Sequence, residues 1–146
     1  MEKAKYYFSL FILSLFIMPL NAQSVLGKWK TIDDETGKAK SIVEIYEVDG
    51  KVHGKITQLF RGPNEDQDPT CTKCEGDRAN KKIIGMEIIR GLEKDDDVYD
   101  DGTILDPEDG KVYDCKIWVD TDVPNKLNVR GYIAFFFRTQ TWLKVQ

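Results

Sequence analysis

Along much of its length the chain falls into short runs in which apolar and polar side chains alternate, separated by clusters of Gly, Pro, Asn and Asp. Alternation with a period of two places the two sets on opposite faces of an extended strand, the mark of a half-buried sheet. Residues 27–32 open the series and a polar turn at 33–38 follows. Residues 41–48 are β-branched and aromatic, and Asp49-Gly50 comes next. Asp-Gly between two such runs signals a hairpin, because both turn residues take positive φ. The return strand is 51–60, with Val52, Gly54, Ile56 and Gln58 on one face. Residues 61–82 are a long polar loop, of a kind that is either functional or tied down locally. A strand resumes at 83–89, an acidic loop covers 93–102, and a short strand at 103–105 leads into the turn Asp106-Pro107-Glu108-Asp109-Gly110. Residues 111–119 alternate well, with Tyr113, Cys115, Ile117 and Val119 on one face and Asp114, Lys116 and Trp118 on the other. A turn at 122–126 and strands at 127–133 and 139–145 complete the pattern. The result is an all-β domain of about eight short strands with no amphipathic helix. Consecutive hairpins favour a small antiparallel up-and-down β-barrel over a sandwich, since closure leaves no strand edge exposed.

The first 22 residues break this pattern. Lys3 and Lys5 precede an apolar run at 6–20, interrupted by Ser9, Ser14 and Pro19 and ending in Asn21-Ala22-Gln23. A basic start, a short apolar stretch and a small residue before the cut describe a signal peptide. The run is shorter than the roughly 20 residues of a membrane-spanning helix. The expectation is therefore cleavage after Ala22, a single domain at 23–146, and a periplasmic or secreted protein. The chain has a net charge of −4. An acidic balance argues against nucleic acid and anionic membrane surfaces as partners, because both call for basic patches.

Three cysteines remain to be placed. Cys71-Thr72-Lys73-Cys74 has the spacing of a zinc half-site, a redox dithiol or a local disulfide. A closed zinc site needs four ligands, for which only Cys115 and His53 offer themselves. A redox dithiol usually opens a helix, and Gly76, Asp77 and Asn80 downstream do not begin one. In an exported chain a Cys71–Cys74 disulfide pinning the long loop is preferred, with Cys115 a buried free thiol. Asp95, Asp96, Asp97, Asp100 and Asp101 lack the order of a calcium loop and read as a solvated acidic loop. The lone histidine, His53, sits opposite Val52 and Ile56 and is expected to face solvent. No phosphate-binding glycine loop or nucleophile motif is present, so the sequence nominates no catalytic residue, metal ligand or cofactor.

Several motifs in order carry a resemblance. They are Gly27-Lys28-Trp29, the hairpin at 43–54, the Cys-x-x-Cys with Ile84-Gly85-Met86 after it, and Gly102-Thr103-Ile104-Leu105-Asp106-Pro107 with Gly110-Lys111-Val112-Tyr113. Leu127-Asn128-Val129-Arg130-Gly131-Tyr132-Ile133 and Arg138-Thr139-Gln140-Thr141-Trp142 close the set. Together they resemble the bacterial domain-of-unknown-function family 2147 over nearly all of residues 23–146. The resemblance implies an exported bacterial protein with a lipocalin-like barrel and implies no activity. In lipocalin-type barrels a Gly-x-Trp near the N-terminus closes one end, its indole under an Arg of the last strand. Here Gly27, Trp29, Arg138 and Trp142 would take those structural roles. The chain departs from the family pattern at Ala134-Phe135-Phe136-Phe137, where a glycine-containing turn is expected. The functional expectation is non-catalytic binding of a small apolar or amphipathic ligand, with Tyr113, Ile117 and Val119 as candidate lining. The alternatives are a structural or protein-interaction module of the envelope, and an enzyme using carboxylates or the Cys-x-x-Cys pair.

Overall fold

A computed structural model describes residues 24–146; the expected signal segment and Gln23 lie outside the described residues. These residues form eight strands: β1 (Gly27–Ile32), β2 (Ala39–Val48), β3 (Lys51–Leu59), β4 (Glu87–Asp95), β5 (Val98–Asp106), β6 (Lys111–Val119), β7 (Lys126–Ile133) and β8 (Phe136–Lys144). A 3₁₀ turn (Gly76–Arg78) lies in the long loop between β3 and β4. Each strand pairs antiparallel with the next, and β8 returns to β1 to close an up-and-down barrel. The closing seam is short, with Trp29 opposite Lys144 and Lys30 opposite Leu143.

Alternation sorts the side chains as the sequence suggests. Trp29, Val43, Ile45, Val52, Ile117 and Leu127 point inward and are buried, while Lys28, Glu44 and Lys116 lie on the opposite parity. The core is not uniform along the barrel axis. These buried residues, with Leu92 and Trp142, pack the end where β1 begins and β8 finishes. The opposite end is a mouth. Its rim is made by the β1–β2 turn, the long β3–β4 loop, the β5–β6 turn and the β7–β8 turn. Both ends of the barrel chain, Gly27 and Lys144, therefore sit side by side at the packed end.

Gly27-x-Trp29 closes that end, with a different partner from the one expected. Gly27 has φ of 121°, and a Cβ there would come within 3.3 Å of Lys144 Nζ. The Trp29 ring is fully buried and its Nε1 donates to the Val25 carbonyl at 2.8 Å. Lys144 Nζ lies 4.6 Å from the ring centroid and donates to the Leu26 carbonyl at 3.2 Å. Arg138 does not cover Trp29. It pairs across from Gly131, six positions earlier on β8, which at a strand's rise is about 20 Å away. Its guanidinium instead donates to Asp34 from the rim.

Three boundaries also differ from the sequence reading. Residues 83–86 are a turn, with Gly85 at φ of 90°, so β4 starts at Glu87. The acidic stretch 93–102 is not a loop but most of the β4–β5 hairpin, in which Glu93 pairs with Asp100 and Asp95 with Val98. β8 starts at Phe136 rather than at residue 139. A register shift between Ile42 and Val43 on β2 turns Gln58 outward, away from the face of Ile56.

Candidate functional site

Inside the mouth the barrel is not filled, and a cavity of about 540 Å³ opens between the strands and the rim loops. Its apolar surface includes Ile56, Ile88, Leu105, Val129 and Trp142. Thr31 and Ser41 are the buried polar residues of the wall, and they satisfy each other: the hydroxyls are 2.8 Å apart and the Ser41 N–H donates to Thr31 Oγ1 at 3.0 Å. Trp142 Nε1 donates to Gln140 Oε1 at 3.2 Å. With these groups already paired, an apolar guest leaves none of them stranded; an unpaired buried donor would otherwise cost about 1–3 kcal/mol.

Around the cavity, charge sits at the rim, where cations and carboxylates pair. Lys40 Nζ lies 2.8 Å from Glu108 and 3.9 Å from Asp33. Arg138 binds Asp34, and the hydrogen bond to Asp34 raises its pKa. Asp33 caps the β1–β2 turn by accepting from the Thr36 N–H at 2.7 Å, and that bond holds its carboxyl below the usual range. Arg61 is paired more loosely, at 3.9 Å from Glu65, and its Nε is buried without a partner.

Two devices hold the long loop as a wall of the mouth. One is the Cys71–Cys74 disulfide, with an S–S distance of 2.00 Å and Cα atoms 5.4 Å apart. Around it the Cys71 N–H donates to the Lys81 carbonyl, and the Asn80 N–H to the Cys71 carbonyl. The β5–β6 turn packs directly on this loop: a Cβ on Gly110 would stand 2.0 Å from the Lys73 carbonyl oxygen, and Gly110 has φ of 75°. The second device is an ion network on the outer wall. Arg90 makes two bonds to Asp77, at 2.7 and 3.1 Å, and one to Glu87 at 2.8 Å. Arg78 donates to the Glu87 carbonyl at 3.2 Å. Tyr46 donates to Glu87 at 2.6 Å, and burial, helped by that carboxylate, pushes the phenol up to about 12. His53 does lie on the outer face, but half-buried and stacked on Tyr46 with centroids 5.9 Å apart. None of this network lines the cavity.

Of the nominated lining residues, Tyr113 lies at the cavity and donates to Asp109 at 2.8 Å. Ile117 and Val119 do not line it. β6 runs from mouth to packed end, so these later positions descend into the core, where Ile117 is fully buried and Val119 packs against it. Arg138 and Trp142, nominated as structural, both line the cavity. Ile56, Ile88, Leu105 and Val129 were missed: the parity of Ile56 and Val129 was readable but not their height along the axis, whereas Ile88 sits at a register shift beside the buried Ile89 and Leu105 stands opposite the exposed Val112, so alternation does not point to either. Cys115 is a free, buried thiol on the inward face of β6, and burial pushes it up to about 12.

The model of a family described as "Uncharacterized protein conserved in bacteria (DUF2147)" matches residues 27–144. No curated protein matches the chain. A solved structure of protein HP1028 from the human pathogen Helicobacter pylori, described as belonging to the lipocalin family, superposes with a TM-score of 0.70. The two are 18% identical, and the match covers 84% of each chain. The barrel is thus lipocalin-like in fold.

Proposed function

We propose that this chain, which belongs to the bacterial DUF2147 family, is an exported, non-catalytic carrier of a small apolar or amphipathic molecule held in the open half of its barrel. The observation that carries the reading is the 540 Å³ cavity, in whose wall Thr31 and Ser41 satisfy each other. Ligand pockets usually measure about 300–1,000 Å³ and combine an apolar body with a few polar groups. Here the apolar part of a guest would lie against Ile56, Leu105 and Val129, and any polar end would meet the rim charges. The Helicobacter pylori protein is described as a member of the lipocalin family, which supports the fold analogy and names no ligand.

The experiment is native mass spectrometry of protein from its own host, followed by a thermal-shift panel of fatty acids and small aromatics. Val129→Trp, which fills the cavity, should abolish any shift while the protein stays folded. A wild type that carries nothing and shifts with no compound sinks the proposal. Export through cleavage after Ala22 belongs to the same proposal. It is supported by the disulfide, which persists in oxidising compartments. N-terminal sequencing should find Gln23; an intact leader on the mature protein would refute it.

A further inference from the structure

Among the described residues, the β7–β8 hairpin carries the most exposed large apolar side chains. At its tip Ile133 is 55% exposed, Phe135 99%, Phe136 76% and Phe137 60%. Ile133 pairs with Phe136 across a two-residue turn, Ala134-Phe135. Successive strand residues point to opposite faces, so these side chains surround the tip instead of making one flat face. A protein surface covers one side of such a projection; a fluid hydrocarbon phase surrounds it.

The charge on the hairpin fits one kind of fluid phase. The chain is acidic overall, yet no Asp or Glu follows Asp122; of the four cations that do, Lys126 and Lys144 lie at the packed end, while Arg138, bound to Asp34, and Arg130 stand behind the tip. Arg130 is held on the outer wall, with its guanidinium 4.4 Å from the Phe137 ring centroid and 5.1 Å from that of Trp118. Its Nε donates to Thr139 Oγ1 at 2.7 Å, and no carboxylate among the described residues pairs with it. In the hairpin register Arg138 stands two residue pairs behind Ile133 and Phe136, and Arg130 three. At a strand's rise these setbacks are about 7 and 10 Å, close to the depth of about 5–10 Å at which interfacial segments bury apolar side chains below charged headgroups. Tyr132, beside Arg130 on the hairpin, is of the residue type that collects at the membrane interface.

We propose that the β7–β8 hairpin is a membrane-docking element, which seats Phe135 and Phe136 among the acyl chains of a bilayer containing anionic phospholipid and places Arg130 at the phosphates. Ile133, Phe136 and Phe137 also line the cavity, so docking would turn the mouth toward the lipid. Docking does not depend on anything occupying the cavity.

The test is co-sedimentation of the purified protein with vesicles of phosphatidylcholine, alone and mixed with phosphatidylglycerol. The wild type should sediment with the mixed vesicles and much less with phosphatidylcholine alone. Phe135→Ser/Phe136→Ser, at two exposed positions, should weaken association by about tenfold or more, and Arg130→Gln should remove the preference for phosphatidylglycerol. Val129→Trp should bind vesicles as the wild type does, which separates this proposal from the carrier proposal. A wild type that stays in solution with both vesicles, one that binds both equally, or a double variant that sediments unchanged overturns the idea. So does a dimer abolished by the double variant in the absence of vesicle binding, which would make a second copy the occupant.

Discussion

Trp29 shows how two contributions of unequal size fix one residue. Its full burial is the larger, and the ammonium of Lys144 over its ring is the smaller. Trp29→Ala is expected to cost about 3–5 kcal/mol in urea unfolding, whereas Lys144→Gln should cost about 0.5–1 kcal/mol. Arg138→Gln should leave the effect of Trp29→Ala unchanged; a coupling between them in a double-mutant cycle would restore the arginine to the closing role. The sequence points to Arg138 because that residue stands directly before the last strand read at 139–145, but it does not show which residue of that strand lies opposite Trp29. Cys115 and Tyr46 give a pH prediction. Both are raised to about 12, chiefly by burial, from ordinary values of 9.0 and 10.0. The folded state favours their neutral forms, so their contribution is complete below about pH 9. It should fade as pH rises toward 12, where the unfolded chain ionises first. Urea midpoints measured across that window should fall, and the fall should be shallower in Cys115→Ala. One free thiol is expected per denatured, unreduced chain, with Cys115 slow to alkylate in the native state.

Whether an element could be read from sequence depended on whether it had a wet and a dry side. β1, the β2–β3 hairpin and β6 alternate because one face meets the core, and their reading needed little change. The β4–β5 hairpin and the start of β8 reach past the ends of the barrel, where Glu93, Lys94 and Asp95, and Phe136 and Phe137, are exposed on both faces. With both faces in water no alternation remains to be seen. Turns carry their own predictions. Gly110→Ala must place a methyl against the Lys73 carbonyl at a positive φ. The backbone conformation alone costs about 1–2 kcal/mol, so a loss above that range is expected, and an unchanged urea midpoint would mean that the two rim segments are not packed together. At the β7–β8 turn, within the stretch 134–137 where the resemblance leads one to expect a glycine-containing turn, Ala134 has φ of 51°. Ala134→Gly should gain up to about 1 kcal/mol of stability, the relief of that strain less the greater freedom of an unfolded glycine.

For the molecule as a whole, summed properties concealed how unevenly they are distributed. The net charge argued against an anionic surface, but it averages an acidic body with a hairpin that has no carboxylate at all. The inward parity of the strands was legible; the division of the interior into a packed half and a hollow half was not, because it depends on how far each strand extends beyond its neighbours. If the hollow half is a binding site, a ligand present at a hundredfold its Kd should raise the unfolding free energy by about 2.7 kcal/mol, and Val129→Trp should show no such gain in calorimetry. The shared location of Gly27 and Lys144 at the packed end has a practical consequence. A fusion partner, an affinity handle or a surface linker joined at either terminus emerges from the side opposite the mouth and the phenylalanine tip. The protein can therefore be immobilised on a sensor chip, or displayed on a cell, in one orientation with its open side presented to the sample.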